Sequence, residues 1–403
     1  MSPFFNALFL QSGYNAALVC IGAALLGTAA GAAGSYLILR KRALVSDAVA
    51  HATLPGICAA FIVMALLGMD GRSLPGLMLG SAVSAFIGLL CVEWIVRRTR
   101  LSEDAAIGAV LSVFFGFGVV LLTVIQSMAV GRQAGVEGFL LGSTAGMLFQ
   151  DALIVAIGGA AVALAVFWLR RPMIMVAFDE GYAEAQGVNI RRIDLWIMGL
   201  ALAVTVIGLK LVGLVLIVAL LIIPPVAARF WTERAGYMVL IACAIGGVSG
   251  YIGAAISASA EALPTGPIIV LVSASIFSLS LFAAPRRGAI VALLRHRGFQ
   301  RRVHRRQGLL SLARGEPILD RLTISVLARD GYMRLDGVAT QSGRAEAARA
   351  LRDEKRWEVA RLVHQDTALP GRYDGLTAIE DVLTRDEIAE LDARIGVPQE
   401  VPA

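Results

Sequence analysis

The 403-residue chain is 57% hydrophobic and only 16% charged, with 42 glycines and a mean hydropathy of +0.74, values that exclude an ordinary water-soluble globular domain. A formal charge of +6 would suggest nucleic acid in a soluble protein; in a chain this apolar it mostly reflects Arg and Lys in cytoplasmic loops and by itself says nothing about partners. Cys20, Cys58, Cys91 and Cys243 stand singly in apolar stretches without C-x-x-C spacing, which argues against a disulfide framework or a thiolate metal cluster.

A bilayer core is crossed by about 20 apolar residues. On that ruler the chain is an all-α polytopic membrane protein of about nine spans, at 17–39, 47–68, 75–96, 105–127, 151–169, 193–209, 211–228, 237–256 and 265–284. The sixth and seventh are short and joined through Gly208-Leu209-Lys210, as a tight hairpin or one tilted pair. Basic residues flanking spans stay in the cytoplasm. Arg40, Lys41 and Arg42, then Arg97, Arg98 and Arg100, then Arg170, Arg171, Arg191 and Arg192, then Arg229 and Arg234, and finally Arg286 and Arg287 mark one side, against Arg72, Arg132 and Lys210 on the other. The asymmetry places the N-terminus outside and everything after residue 285 in the cytoplasm. Residues 1–16 are weakly apolar and lack a basic n-region, so no cleaved signal peptide is expected.

At the start of the second span, Asp47 and His51 are four residues apart, on one face of a helix. Ionisable groups at membrane depth are costly and normally face a bundle interior or a watery path, and carboxylate oxygen with neutral imidazole nitrogen suits Mn²⁺, Fe²⁺ or Zn²⁺. A second reading stands beside the first: Ser46 and Asp47 cap the helix and His51 bonds a neighbouring helix. Pro55 follows inside the span and frees a backbone carbonyl.

Between the fifth and sixth spans, residues 177–188 form a polar loop with a short helical pattern ended by Gly187. It is either a docking point for a cytoplasmic partner or an ordinary loop helix. No G-x-x-x-x-G-K-[ST] phosphate loop is present, so any ATP that drives the protein is bound by another subunit, and the chain is not itself an enzyme.

From residue 286 the composition turns charged and Arg-rich, with Arg295-His296-Arg297 and Arg301-Arg302-Val303-His304-Arg305-Arg306. A basic juxtamembrane run of this kind is expected to anchor on anionic lipid headgroups, in preference to the alternative of binding nucleic acid. Residues 344–366 and 376–395 then alternate charged and apolar positions at helical spacing. Three segments are expected: a transmembrane domain over 1–285, a basic linker over 286–318 and a small helical cytoplasmic domain over 319–403.

The stretch Ser46-Asp47-Ala48-x-x-His51-Ala52-x-Leu54-Pro55-Gly56 resembles the D-A-x-x-H-x-x-L-P-G signature of the ABC-3 permeases, the membrane subunits of bacterial manganese, zinc and iron importers. Phe178-Asp179 with Ala183 and Gly187, and the run from Val212-Gly213-Leu214 to Pro224-Pro225, are similar to further motifs of that family, in the same order. The resemblance implies a type II importer in a bacterial inner membrane: two permease subunits as a homo- or heterodimer, two cytoplasmic ABC ATPases, and an extracytoplasmic solute-binding protein delivering the ion. It implies that Asp47 and His51 line the translocation path, and that Asp179, Glu180, Ala183 and Gly187 form the segment coupling to the ATPase. The second residue of Pro224-Pro225 is commonly small in relatives, a departure that bears on the local backbone.

Residues from about 320 onward are similar to part of the iron- and manganese-dependent repressors, through Leu327-Ala328-Arg329-Asp330-Gly331-Tyr332, Gly343-Arg344-Ala345-Glu346, Arg356-Trp357-Glu358 and Leu391-Asp392-Ala393-Arg394-Ile395-Gly396-Val397-Pro398. The repressors' ligand positions correspond to Glu354, Glu380 and Asp381, with Thr377 where another ligand would stand. This resemblance implies an assembly or regulatory domain rather than a DNA-binding one, with metal sensing through Glu354, Glu380 and Asp381 as an open alternative. The expected whole is the transmembrane subunit of an ATP-driven divalent-metal importer carrying manganese, iron or zinc. The alternatives are a secondary metal transporter or channel, and a membrane-tethered regulator.

Overall fold

The structure is a computed structural model, and it describes residues 3–11, 13–68, 73–127, 149–259, 263–285, 287–334, 336–363 and 373–395. Arg72, Arg132 and Arg286, used above for orientation, and the Gly396-Val397-Pro398 end of the repressor-like motif lie outside the described residues. The chain divides into two compact units, Met1–Val291 and Ala292–Ala403.

In the first unit a short helix α1 (Pro3–Leu8) precedes α2 (Tyr14–Leu39), α3 (Val45–Leu66), α4 (Leu74–Arg98), α5 (Glu103–Ser127), α6 (Phe149–Phe178), α7 (Glu180–Ala185), α8 (Ile190–Val212), α9 (Leu214–Trp231), α10 (Ala235–Ser257) and α11 (Thr265–Ala283). Among the described residues eight of these, all but α1, α7 and α9, are long and apolar enough to cross a membrane. Helix α9 occupies the place of the seventh predicted span with 18 residues, about 27 Å at 1.5 Å per residue.

Two packing centres organise the unit. Helix α2 is central to one: its buried residues, from Cys20 through Leu37, form a continuous core with Val155 and Val162 of α6, Ile197 and Ala201 of α8, Ile217 and Leu221 of α9, and Ala254 and Ala255 of α10. Small residues allow this, since Gly27 and Gly31 of α2 lie against the backbone of Gly246 and Ala242 in α10. Helix α3 is central to the other, packed by α4, α5 and α8.

The joint between α8 and α9 falls at Gly213, not at the Gly208-Leu209-Lys210 step read from the sequence. Gly213 has φ 77° and ψ 171°, a left-handed backbone that residues with a Cβ avoid, and its N–H still closes α8 on the carbonyl of Leu209 at 2.9 Å. Gly208 instead sits inside α8 with Ile217 packed over it.

The second unit holds most of α12 (Ala289–Arg314), then α13 (Arg321–Arg329), α14 (Gln341–Val363), a 3₁₀ turn at Ile379–Asp381 and α15 (Arg385–Ile395). The stretch read as a linker is therefore helical through Arg314, and its Leu309 joins a core with Leu327, Met333 and Ala347. A bridge between Met333 and Ala339 closes the turn that precedes α14. A second small core gathers Trp357, Ala360, Ile379 and Leu391, with Trp357 fully buried and its indole N–H donating to the carbonyl of Thr377 at 3.0 Å.

Candidate functional site

Helix α3 begins at Val45 with no side-chain cap. The Ser46 hydroxyl donates backward to the carbonyl of Ala43 at 2.7 Å, and the Asp47 carboxylate faces along the helix, its Oδ1 3.4 Å from His51 Nε2. The capping reading of Ser46 and Asp47 thus finds no capping bond, and the i, i+4 pairing is realised.

Packing explains why these two side chains share an open stripe. Val45, Ala48, Val49 and Ala52 are buried against Ala85 and Leu89 of α4, Ala106, Ile107 and Val110 of α5, and Met198 of α8. Asp47 and His51 occupy the angle left between those contacts, with side chains 40% and 27% exposed. The His51 ring stands edge-to-face with Phe115 of α5, centroids 5.1 Å apart at 86°. Its Nδ1 is buried with no hydrogen-bond partner among the described residues, a costly condition for an imidazole nitrogen.

A cation between Asp47 Oδ1 and His51 Nε2 would meet a workable bite. With metal–ligand bonds of about 2.1 Å, a 3.4 Å separation subtends about 108° at the ion, close to tetrahedral. Two donors from one helix leave the rest of the shell open, which suits an ion in transit better than one held permanently.

The residues after the pair are a packing device. Pro55 lies inside the helix and has no N–H to give to the carbonyl of His51, four residues earlier. Gly56 lies where a Cβ would come 2.1 Å from the carbonyl oxygen of Gly80 in α4, and Leu54 fills the space over Gly118 of α5. Leu54, Pro55 and Gly56 therefore seat α3 between α4 and α5 and fix the direction of the Asp47–His51 stripe.

The 177–188 stretch forms the six-residue helix α7. Asp179 is its N-cap, the carboxylate accepting the N–H of Tyr182 at 2.9 Å. Ala183 is fully buried and fixes the helix to the bundle. Gly187 ends it with φ 78° while Val188 N–H reaches back to the carbonyl of Ala183 at 3.0 Å. Phe178 and Tyr182 are left more than half exposed. Glu180 points to the bundle instead, its Oε1 2.7 Å from Arg40 Nη1.

That contact opens a cluster the sequence reading missed. Arg40 also holds both oxygens of Asp194 in α8, and Arg42 pairs with Glu103 of α5 at 3.1 Å. The one signal available was a lone carboxylate at the edge of an apolar span, Asp194, set against the Arg40–Arg42 cluster.

In the second unit the three sequence-predicted acids are occupied differently. Glu354 accepts from Arg306 Nη2 at 2.8 Å and from the Tyr373 hydroxyl at 2.7 Å. Glu380 lies 3.3 Å from Arg356, and Asp381 ends the 3₁₀ turn. Burial pushes the Glu354 carboxyl up, but the Tyr373 hydroxyl and the Arg306 guanidinium outweigh it and hold it below its usual value. Among the described residues no three His, Cys, Asp or Glu side chains gather as a metal-binding group, so these acids are not brought together as a ligand set.

The ABC 3 transport family profile matches residues 14–284. The chain is 38% identical over 309 residues to the manganese transport system membrane protein MntC of Bacillus subtilis, covering 76% of this chain and 70% of that one. It is 36% identical over 288 residues to the zinc transport system membrane protein TroC of Treponema pallidum, covering 72% of this chain and 95% of that one. Among solved structures, PsaBC from Streptococcus pneumoniae in complex with Fab superposes with a TM-score of 0.60 at 28% identity, over 70% of this chain and 96% of that one. Helix order, the α3 signature and these matches agree over the same residues, and the chain belongs to the ABC 3 transport family.

Proposed function

We propose that this protein is the transmembrane subunit of an ATP-driven importer of a divalent transition metal ion, manganese, iron or zinc, in a bacterial inner membrane. The observation that carries the reading is the Asp47–His51 pair, 3.4 Å apart on an otherwise apolar helix with an imidazole nitrogen left unpartnered among the described residues. The relatives named for manganese and zinc transport support the ion class. A second permease chain, a copy or a relative, completes the path; a cytoplasmic ATPase docks on α7; an extracytoplasmic binding protein delivers the ion. The N-terminus lies outside and the second unit inside.

In this scheme ATP binding draws the ATPases together and α7 carries the movement into the bundle. The stripe of Asp47 and His51 then opens to one side at a time. Asp47 supplies charge and His51 a borderline-soft nitrogen, and the open shell allows release. The 319–403 domain acts in assembly or regulation, and the basic 286–318 stretch stays near anionic headgroups. Metal sensing by Glu354, Glu380 and Asp381 would require Arg306 and Arg356 to let two of them go.

The test is purification of the chain from its native membrane. An ATP-binding subunit should copurify, with hydrolysis stimulated by the permease. Metal transport by the chain alone, with no such subunit and no ATP dependence, would replace this reading with that of a secondary transporter.

A further inference from the structure

Two arginines at the end of α2 join four elements. Arg40 caps α2 and donates from Nε and Nη2 to both carboxylate oxygens of Asp194 in α8, at 2.9 and 3.0 Å. Its Nη1 donates to Glu180 Oε1 of α7 at 2.7 Å and to the carbonyl of Val176 near the end of α6 at 2.9 Å. Arg42 lies 3.1 Å from Glu103 of α5 and 3.5 Å from the second oxygen of Asp194. The Arg40 and Asp194 side chains are only 10% and 9% exposed, unlike the solvent-exposed pairs that contribute little.

Geometry gives this cluster a direction. Lys41, between the two arginines, has φ 60°, an uncommon backbone for a residue with a Cβ, and this turns the chain out of α2. Two residues separate Arg42 from Val45, where α3 begins, and Asp47 sits in its first turn. One guanidinium therefore grips α7, α6 and α8 while its own backbone leads directly to the helix bearing the Asp47–His51 pair. The planar fork of arginine can hold a carboxylate with two bonds and still reach further acceptors; a lysine ammonium cannot reproduce that pattern. Helix α7 holds the bundle through buried Ala183, in the core that includes Tyr36 and Leu37 of α2, and through Glu180, whose ion pair reaches Arg40 at the α2–α3 connector.

We propose that Arg40, held by Asp194 and Glu180, is the positioning residue that passes movement of α7 to the Asp47–His51 pair, a role that rests on reading α7 as the ATPase-docking helix and the pair as the ion path. The clasp transmits displacement: when α7 shifts, Arg40 shifts with it, and the start of α3 follows.

The experiment uses the full complex, permease with its ATPase and binding protein in proteoliposomes, and measures Mn²⁺ uptake per ATP hydrolysed. Arg40→Gln, Arg40→Lys and Asp194→Asn are compared with the wild-type chain. The clasp predicts that uptake per ATP falls by about tenfold in these variants, the scale of a typical coupling between sites, while hydrolysis continues. Arg40→Lys keeps the charge, so it reads the fork even where Arg40→Gln fails to insert. Wild-type uptake per ATP in the single variants would overturn the proposal. So would loss of hydrolysis together with uptake in every variant, since that describes a scaffold. Absence of uptake by the wild-type complex would instead overturn the permease reading itself.

Discussion

Gly56 shows how a single residue positions the candidate path. A Cβ there would lie 2.1 Å from a backbone carbonyl of α4, so even alanine forces the two helices apart. Gly56→Ala should destabilise the α3–α4 packing by about 1–3 kcal/mol and tilt the Asp47–His51 stripe; thermal unfolding in detergent together with metal uptake checks both. The motif was readable in the sequence, but its packing cause was not, because the partner carbonyl of Gly80 belongs to a different helix. The same holds for Arg40 and Asp194, 154 positions apart: an ion pair between distant segments leaves no periodic trace. Asp47 and His51 were readable because helical spacing alone brings i and i+4 together.

Glu354 ties the stability of the second unit to pH. Glu354 is held below its ordinary value, against burial, by Tyr373 and Arg306. A carboxyl depressed in the folded state stabilises fully above its unfolded value, near about 4.3, and the contribution disappears as pH falls through the lower folded value. The thermal midpoint of the second unit should therefore drop on acidification below about pH 4.3, and Glu354→Gln should flatten that dependence. An unchanged slope in the variant would show that the Arg306–Glu354 contact carries no linkage.

At the scale of elements, the spans were legible because about 20 apolar residues are needed to cross a bilayer and little else produces such runs. The ends were less so. Helix α6 runs from Phe149 to Phe178, past the expected end at 169, because Arg170 and Arg171 continue a helix as readily as they end a membrane segment. Pro172 is accommodated within it. The break between α8 and α9 moved to Gly213 for a backbone reason that hydropathy does not report. Helix α12 has the composition of a linker because its charge conceals an apolar edge; Gly308, buried beneath Thr323 and Leu327, is what lets α13 approach it.

For the whole molecule, the division at residues 291 and 292 separates an apolar bundle from a charged unit with cores of its own. Removing residues 300–403 should leave some metal transport, or impair only assembly with the ATPase. Complete loss of function in a correctly inserted and assembled truncation would support a membrane-tethered regulator instead. The family match over residues 14–284 covers the bundle and stops short of the second unit, consistent with transport residing in the first.

The proposed function stands or falls on passage of the metal ion along the Asp47–His51 stripe. Its most direct test is Mn²⁺ uptake by proteoliposomes holding the complete complex with Asp47→Ala, after insertion and ATPase binding have been verified. ATP-driven uptake should fall to background; uptake at the wild-type rate would show that the ion does not depend on Asp47.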